Sequence, residues 1–417
     1  MEILSSYGII ISASVIIIIS YLFNLVSNRI NIPSVLLLIL LGIGINQALR
    51  FAGTEPANLF PVLEILGIVG LIMIVLEAAL DLKLTRKKLP LIWKSGLISL
   101  LSLAINAVLI ALIINVYVDS DFYNSLIYAI PLSIISSAIV LPSVSSLSEH
   151  KKEFLIYEST FSDIFGIMIF YFLIQNAEAE SVAEVSTNIV VNIGLTLVVS
   201  ILASYLLVWL FQQIRTQVKL FLLIAVLVLL YAIGKSMHLS SLIMILIFGL
   251  ILENRHFFFK GKLSFLLREE IVGSILKDFK MITAETAFIV RTFFFVIFGI
   301  TITLSSLYDI KVITVSLIIL AVIFGIRYLI FKLFFKKDIL PETFISPRGL
   351  ITILLFFDIP EEFQIEEFNS GILLFVIMFT SLIMAFALIK SNRKAKEPEF
   401  EIDNRNNDES IKENLTE

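Results

Sequence analysis

The chain has 417 residues, of which 58% are hydrophobic and 16% charged, and its formal net charge is -4. Soluble domains run about a quarter charged, so the composition excludes a soluble enzyme; the small net charge says nothing about partners, and no nucleic acid is expected. Cysteine is absent, which excludes disulfides, thiolate catalysis and cysteine-held metals, and no cofactor is expected.

A helix crosses a bilayer with about 20 mostly apolar residues. On that measure the sequence predicts an all-α polytopic membrane protein with about thirteen spans. In chain order they fall near 7–24, 33–50, 59–80, 91–118, 123–147, 153–175, 186–212, 219–234, 238–254, 282–306, 311–332, 344–359 and 370–390. The first run lacks a basic leader and a small-residue cleavage site, so it reads as a retained span. Only the Lys235–His238 link divides the eighth from the ninth. His150, His238 and His256 lie far apart, so no histidine metal cluster is expected.

The gaps between spans alternate in charge. One set carries Arg29, then Lys83, Arg86, Lys87 and Lys88, then Lys151 and Lys152, then Arg215, then a basic stretch from Arg255 to Lys280, then Lys332, Lys336 and Lys337. The other set carries only Arg50, Lys235 and Lys311, and two of its members are acidic. Basic residues concentrate on the cytoplasmic side. The expected topology is a multi-pass protein of the cell membrane with its N-terminus outside and its C-terminus in the cytoplasm. Residues 256–280 mix Phe257, Phe258 and Phe259 with basic residues, which suits a helix lying in the cytoplasmic interface. Residues 391–417 are polar and charged and are expected to form a disordered tail.

Two spans carry Pro and small hydroxyl residues. The fifth contains Ser133, Ser136, Ser137 and Pro142; the twelfth contains Ser346, Pro347, Arg348 and Gly349. Broken backbone in a membrane is tolerated only where protein or a water-filled cavity satisfies it. Interrupted spans at matching places in two halves point to a transporter site. They stand seven spans apart, which suits inverted repeats of six helices with the two interrupted helices crossing. The repeats would be about 7–175 and 219–390, joined by a linking span at 186–212, and together would form one transmembrane domain over 1–390.

Ionisable side chains at membrane depth are costly and by default functional. The densest stretch is Glu158-Ser159-Thr160-Phe161-Ser162-Asp163 in the sixth span. Ser159 and Asp163 are spaced i, i+4 and share a helix face, so a carboxylate stands one turn from a hydroxyl. A dehydrated alkali cation needs such oxygens. Glu158 needs a cationic partner; Arg327, deep in the eleventh span, is the expected one, and Arg348 is the alternative. No equally deep basic residue remains for Asp163. Glu77 and Asp81 read as interfacial. Asn24, Asn106 and Glu285 read as helix-to-helix hydrogen-bonders or interface residues.

In their order and spacing these segments resemble the cation/proton antiporter superfamily, the sodium/proton exchanger family in particular, over roughly residues 7–390. Ile32-Pro33-Ser34-Val35-Leu36 with Gly42, Leu76-Glu77-Ala78-Ala79-Leu80-Asp81-Leu82, the Phe-rich run Thr292–Gly299 and Pro347-Arg348-Gly349 carry the resemblance. The family's sixth-span motif is Glu-Ser-x-x-Asn-Asp in electroneutral members and ends Asp-Asp in electrogenic ones. Here Glu158, Ser159 and Asp163 are kept, and Ser162 takes the penultimate place. The resemblance implies that Asp163 binds cation or proton, that Ser159 helps coordinate it, and that Glu158 pairs with Arg327. Sodium-selective members carry Thr-Asp-Pro in the fifth span; Ser136-Ser137-Ala138 stands there instead, closer to the potassium/proton branch. Hydroxyl and backbone oxygens at Ser136 and Ser137 would then complete the site. No nucleotide-binding tail domain is expected.

The implied activity is secondary exchange of Na⁺ for H⁺, electroneutral because Ser162 does not titrate, in a homodimer surrounded by lipid. A K⁺/H⁺ antiporter has the same chemistry. A cation channel and a non-transporting signalling protein are the alternatives of another class. An intramembrane enzyme would need a nucleophile, base or metal constellation at depth, and the sequence offers none.

Overall fold

The computed structural model describes residues 6–30, 33–53, 60–118, 120–177, 182–213, 219–236, 241–260, 267–301, 308–335 and 339–391. Every regular element among them is helical. Lipid offers the backbone no hydrogen bonds, so each crossing segment must satisfy its own amides. The helices are α1 (Ser6–Ile30), α2 (Ser34–Phe51), α3 (Phe60–Asp81), α4 (Leu89–Val118), α5 (Phe122–Ser133), α6 (Ser137–Ser143) and α7 (Glu149–Gln175). They continue with α8 (Val182–Gln213), α9 (Lys219–Ser236), α10 (Ser241–Glu253), the short α11 (Arg255–Phe258), α12 (Glu269–Thr301) and α13 (Ile310–Phe335). α14 (Leu350–Phe357) and α15 (Gly371–Ser391) close the described chain. Eight stretches among the described residues are long and apolar enough to cross a membrane, and shorter apolar helices accompany them.

The helices gather into two bodies. In one, α12 packs on α2 and α3, α10 packs on α3, α8 and α9, and α1 lies on α2. In the other, α4 packs on α5, α7 and α13, while α6 and α14 lean on α7. The bodies meet where α14 touches α3 and α12 and where α10 touches α7. The first body is drawn tight by small residues. A Cβ on Gly42 of α2 would come within 2.8 Å of the Gly299 Cα in α12, so only glycine lets these two backbones approach so closely.

Polarity is arranged inside out. α1 presents Ile10, Ile11, Ile18 and Leu22 outward, and α4 presents Trp93 and Val116. Ser99, Asn106, Glu158, Asp163, Arg327, Arg348 and Thr380 are buried. Outward hydrocarbon suits lipid, and inward polar groups hold helices together where no hydrophobic force acts between them.

One expectation needs correction. Residues 269–280 form no separate interfacial helix, because α12 runs unbroken from Glu269 to Thr301. No Pro interrupts it, and the apolar side chains Val272, Leu276 and Phe279 are buried against the body rather than laid on a membrane surface. Glu77, read as interfacial, is half-buried and pairs with Arg291, with Oε2 3.5 Å from Nη2. In the fifth span the helix breaks at Ile134–Ser136, inside the stretch that carries the small hydroxyl residues, and Pro142 sits in the last turn of α6. Residues 256–260 form only the short α11 and its exit, and the expected tail beyond Ser391 lies outside the described residues.

Candidate functional site

The second body is built around two breaks that cross. α5 stops at Ser133, and Ile134 turns extended at φ -74°, ψ 132°. The chain stays extended to Ser136 and re-enters a helix at Ser137. Facing it, residues 345–349 run without helix before α14 begins at Leu350. The segments are joined through backbone: Ser136 N–H donates to the Pro347 carbonyl at 2.9 Å. Gly349 is needed at the contact, since a Cβ there would lie 2.6 Å from Ser136 Oγ.

Each break frees backbone groups that must find partners. Ile135 N–H donates to Ser162 Oγ at 2.9 Å. The carbonyls at the end of α5 accept from Arg348: Nε reaches Leu132 O at 2.8 Å and Nη2 reaches Ser133 O at 3.2 Å. Arg348 Nη1 reaches Ser346 O and Oγ at 2.6 and 2.5 Å. The guanidinium is completely buried, and among the described residues it hydrogen-bonds carbonyls and a hydroxyl rather than a carboxylate. It sits instead at the negative end of a helix dipole. A basic residue inside an interrupted span is the sequence signal for such a role.

α7 supplies the acids. Glu158 and Arg327 form a two-pronged pair, Nη1–Oε1 at 2.7 Å and Nη2–Oε2 at 2.9 Å, and both are 1% exposed. Arg327 Nε also donates to Glu342 O at 3.1 Å, and its planar head lies 4.4 Å from the Phe331 ring centre. Of the two arginines weighed for Glu158, Arg327 makes the pair and Arg348 goes to carbonyls.

Asp163 has no such partner. Its Oδ2 accepts from Ser137 N–H at 3.2 Å, at the start of α6, and the Ser137 side chain lies beside the same carboxylate. Its Oδ1 is buried with no hydrogen-bond partner among the described residues, and so is Ser136 Oγ. Ser159 is buried one turn away and donates back to Ile156 O at 3.2 Å. The structure therefore gathers Asp163, Ser162, Ser136 and Ser137 at the crossing. It keeps Ser159 on the same helix with its hydroxyl turned to the backbone, and sets Glu158–Arg327 apart as a closed pair. Pro142 lies down α6, away from the break.

Two oxygens without a partner among the described residues, one of them on a carboxylate that no described basic residue pairs with, can accept a proton or a small cation. Among the described residues no three His, Asp or Glu side chains converge as a metal site. A bound cation would therefore draw its oxygens from hydroxyls and backbone as well.

A family model described as the transmembrane sodium/hydrogen exchanger matches residues 13–390. The chain belongs to the sodium/hydrogen exchanger family. The exchanger's fold is also that of solved structures of the sodium proton antiporter MjNhaP1 from Methanocaldococcus jannaschii. One, at pH 8, has a TM-score of 0.66 at 18% identity and covers 93% of this chain and 94% of that one. An electron-microscopy map of the same protein gives 0.64 at 18% identity, covering 94% and 96%. At that identity the likeness speaks for the fold alone. No curated protein sequence matches the exchanger.

Proposed function

We propose that this exchanger is a secondary active antiporter that trades one monovalent cation, Na⁺, for one proton, with both competing for Asp163. The observation that carries the reading is the isolation of that carboxylate. It is buried, its Oδ1 has no partner among the described residues, and the two fully buried arginines, Arg327 and Arg348, are engaged with Glu158 and with backbone carbonyls. An ionised carboxylate left without compensation in a medium of low polarity is strongly disfavoured. A proton neutralises it, and so does a cation; both together would leave a net positive charge. Binding is thus exclusive, and the loaded forms are the ones free to move across the interface between the two bodies.

Within this reading Ser136, Ser137, Ser162 and Ser159 furnish the remaining oxygens. The Glu158–Arg327 pair is a structural clamp. With Ser162 in the penultimate place only one carboxylate titrates, so one proton leaves for each cation and exchange is electroneutral. The body that holds the crossing moves against the more rigid other body, as alternating access requires, and each of the two repeats, about 7–175 and 219–390, contributes helices to both bodies. The chain would sit in the cell membrane as a homodimer, N-terminus outside and C-terminus in the cytoplasm.

The test is reconstitution. Vesicles carrying a pH-sensitive dye should report proton movement on addition of Na⁺, with little change when the membrane potential is clamped. Asp163→Asn should abolish that signal in a folded protein. Exchange surviving the substitution would end the proposal, and strong dependence on potential would end the one-for-one stoichiometry.

A K⁺/H⁺ antiporter is the second reading. Ser137 stands where sodium-selective relatives place a carboxylate, which leaves Asp163 as the acid at the crossing. A less charged, hydroxyl-lined site favours the more easily dehydrated ion. Comparing Na⁺, K⁺ and Li⁺ in the same vesicles separates the two. A channel would pass cations without counter-movement of protons, and a signalling protein would pass neither.

A further inference from the structure

The two bodies touch through charged side chains at one end of the molecule that the crossing does not involve. α7 starts beside the Lys83–Lys88 loop, where Lys88 Nζ meets Glu153 at 2.5 Å. Eighteen residues later, about 27 Å along the helix, Tyr171 donates its hydroxyl to Asp358 Oδ2 at 2.7 Å. Both belong to the body that carries Asp163. Across the gap, on α9 of the other body, Lys235 Nζ lies 3.6 Å from Asp358 Oδ1. Tyr231, one turn earlier on α9, lines the same cavity as Tyr171 and Asp358.

These groups stand over a cavity of about 70 Å³ between the bodies. Its floor is apolar, with Leu71 and Phe294 from one body and Leu354 from the other. The side chains of Lys235 and Asp358 are 55% and 39% exposed, whereas Leu71 and Phe294 are 4% and 0% exposed, so the charged pair marks the mouth. The cleft can widen on this side only if the pair parts.

We propose that Lys235, Tyr231, Tyr171 and Asp358 form a tie across the outer mouth of the cleft, and that breaking it is a step in opening Asp163 to the outside. The inference rests on the antiport reading and its topology. The tie is made to be reversible. Asp358 keeps the Tyr171 hydrogen bond within its own body, so parting leaves it partly satisfied, and Lys235 passes into water. An exposed pair of this kind biases an equilibrium and does not lock it. A transporter that must visit both states needs a bias of that size.

The native chain has no cysteine, so one reporter thiol reads the cleft. Ile68→Cys lines the cavity and is half-buried. In right-side-out vesicles a membrane-impermeant thiol reagent should label it slowly. Lys235→Met and, separately, Asp358→Asn should speed external labelling by about three- to fivefold, the scale of one exposed ion pair. The exchanged pair, Lys235→Asp with Asp358→Lys, should return it toward the slow rate. Unchanged labelling in Lys235→Met overturns the tie, as does faster labelling only from the inner side. Labelling needs no transport. If the antiport reading alone fails, the thiol still responds in a protein that exchanges nothing. If the tie alone fails, exchange persists with a thiol that does not respond.

Discussion

Changing Glu158 to Gln keeps the shape of the side chain and removes its charge. Arg327 is then left cationic at a position 1% exposed, with one carbonyl and one ring for company. Two hydrogen bonds to a charged acceptor are weakened, each worth about 1.5–3 kcal/mol, and a buried charge loses its compensation. Breaking one side of such a pair costs about 3–5 kcal/mol. At roughly 2 °C per kcal/mol for a large chain, the midpoint of heat-induced aggregation in detergent should fall by about 5–10 °C. Asp163→Asn makes the same carboxylate-to-amide change five residues along the same helix. Asp163 pairs with no arginine among the described residues, so that variant should unfold within about 2 °C of the parent, or higher, on the same scale. Replacing the whole pair, Glu158→Leu with Arg327→Met, should recover much of the loss, because well-packed apolar groups substitute for a buried pair at little cost. Size-exclusion profiles after graded heating read all four proteins. The reasoning fails if Glu158→Gln is as heat-resistant as the parent, or if Asp163→Asn is the more fragile of the two.

Three further outcomes follow from the crossing and the helix contacts. Arg348→Lys keeps the charge and loses the planar fork that serves Leu132, Ser133 and Ser346, so exchange should be lost and heat resistance should fall by about 2–4 kcal/mol equivalent; a fully active variant would refute the capping role. Ser136→Ala removes a buried hydroxyl with no partner among the described residues and should raise the cation concentration for half-maximal exchange about fivefold, one hydrogen bond's worth, with the maximal rate kept. Gly42→Val should destabilise by about 3 kcal/mol, because its Cβ would strike α12, whereas Gly44→Val, which has open space around it, should be tolerated; equal yields of folded protein from both would contradict the packing.

The acids and their spacing were legible in the sequence, because a charge inside an apolar run stands out whatever it touches. Glu158, Asp163, Arg327 and Arg348 are all of this kind. Their division of labour was less legible. Arg327 and Arg348 look alike in sequence, and only the fold sends one to a carboxylate and the other to carbonyls. Ser162 is similar: its hydroxyl, read as part of the ion site, is engaged by Ile135 N–H. Tyr171 and Asp358 carry no signal in the sequence, since a tyrosine and an aspartate near span ends are ordinary interface residues until a second body brings Lys235 to them.

The positions of most spans were set by the sequence itself. In a bilayer the cost of an exposed peptide group is local, so apolar runs become helices almost regardless of their neighbours. Where a helix is allowed to break is not local. Ile134-Ile135-Ser136 carries no breaker, and Pro142, which does, lies inside α6. The chain opens at Ile134 because Ser162, Pro347 and Arg348, remote in sequence, are there to receive its freed amides and carbonyls. Only the assembled bundle could supply those partners.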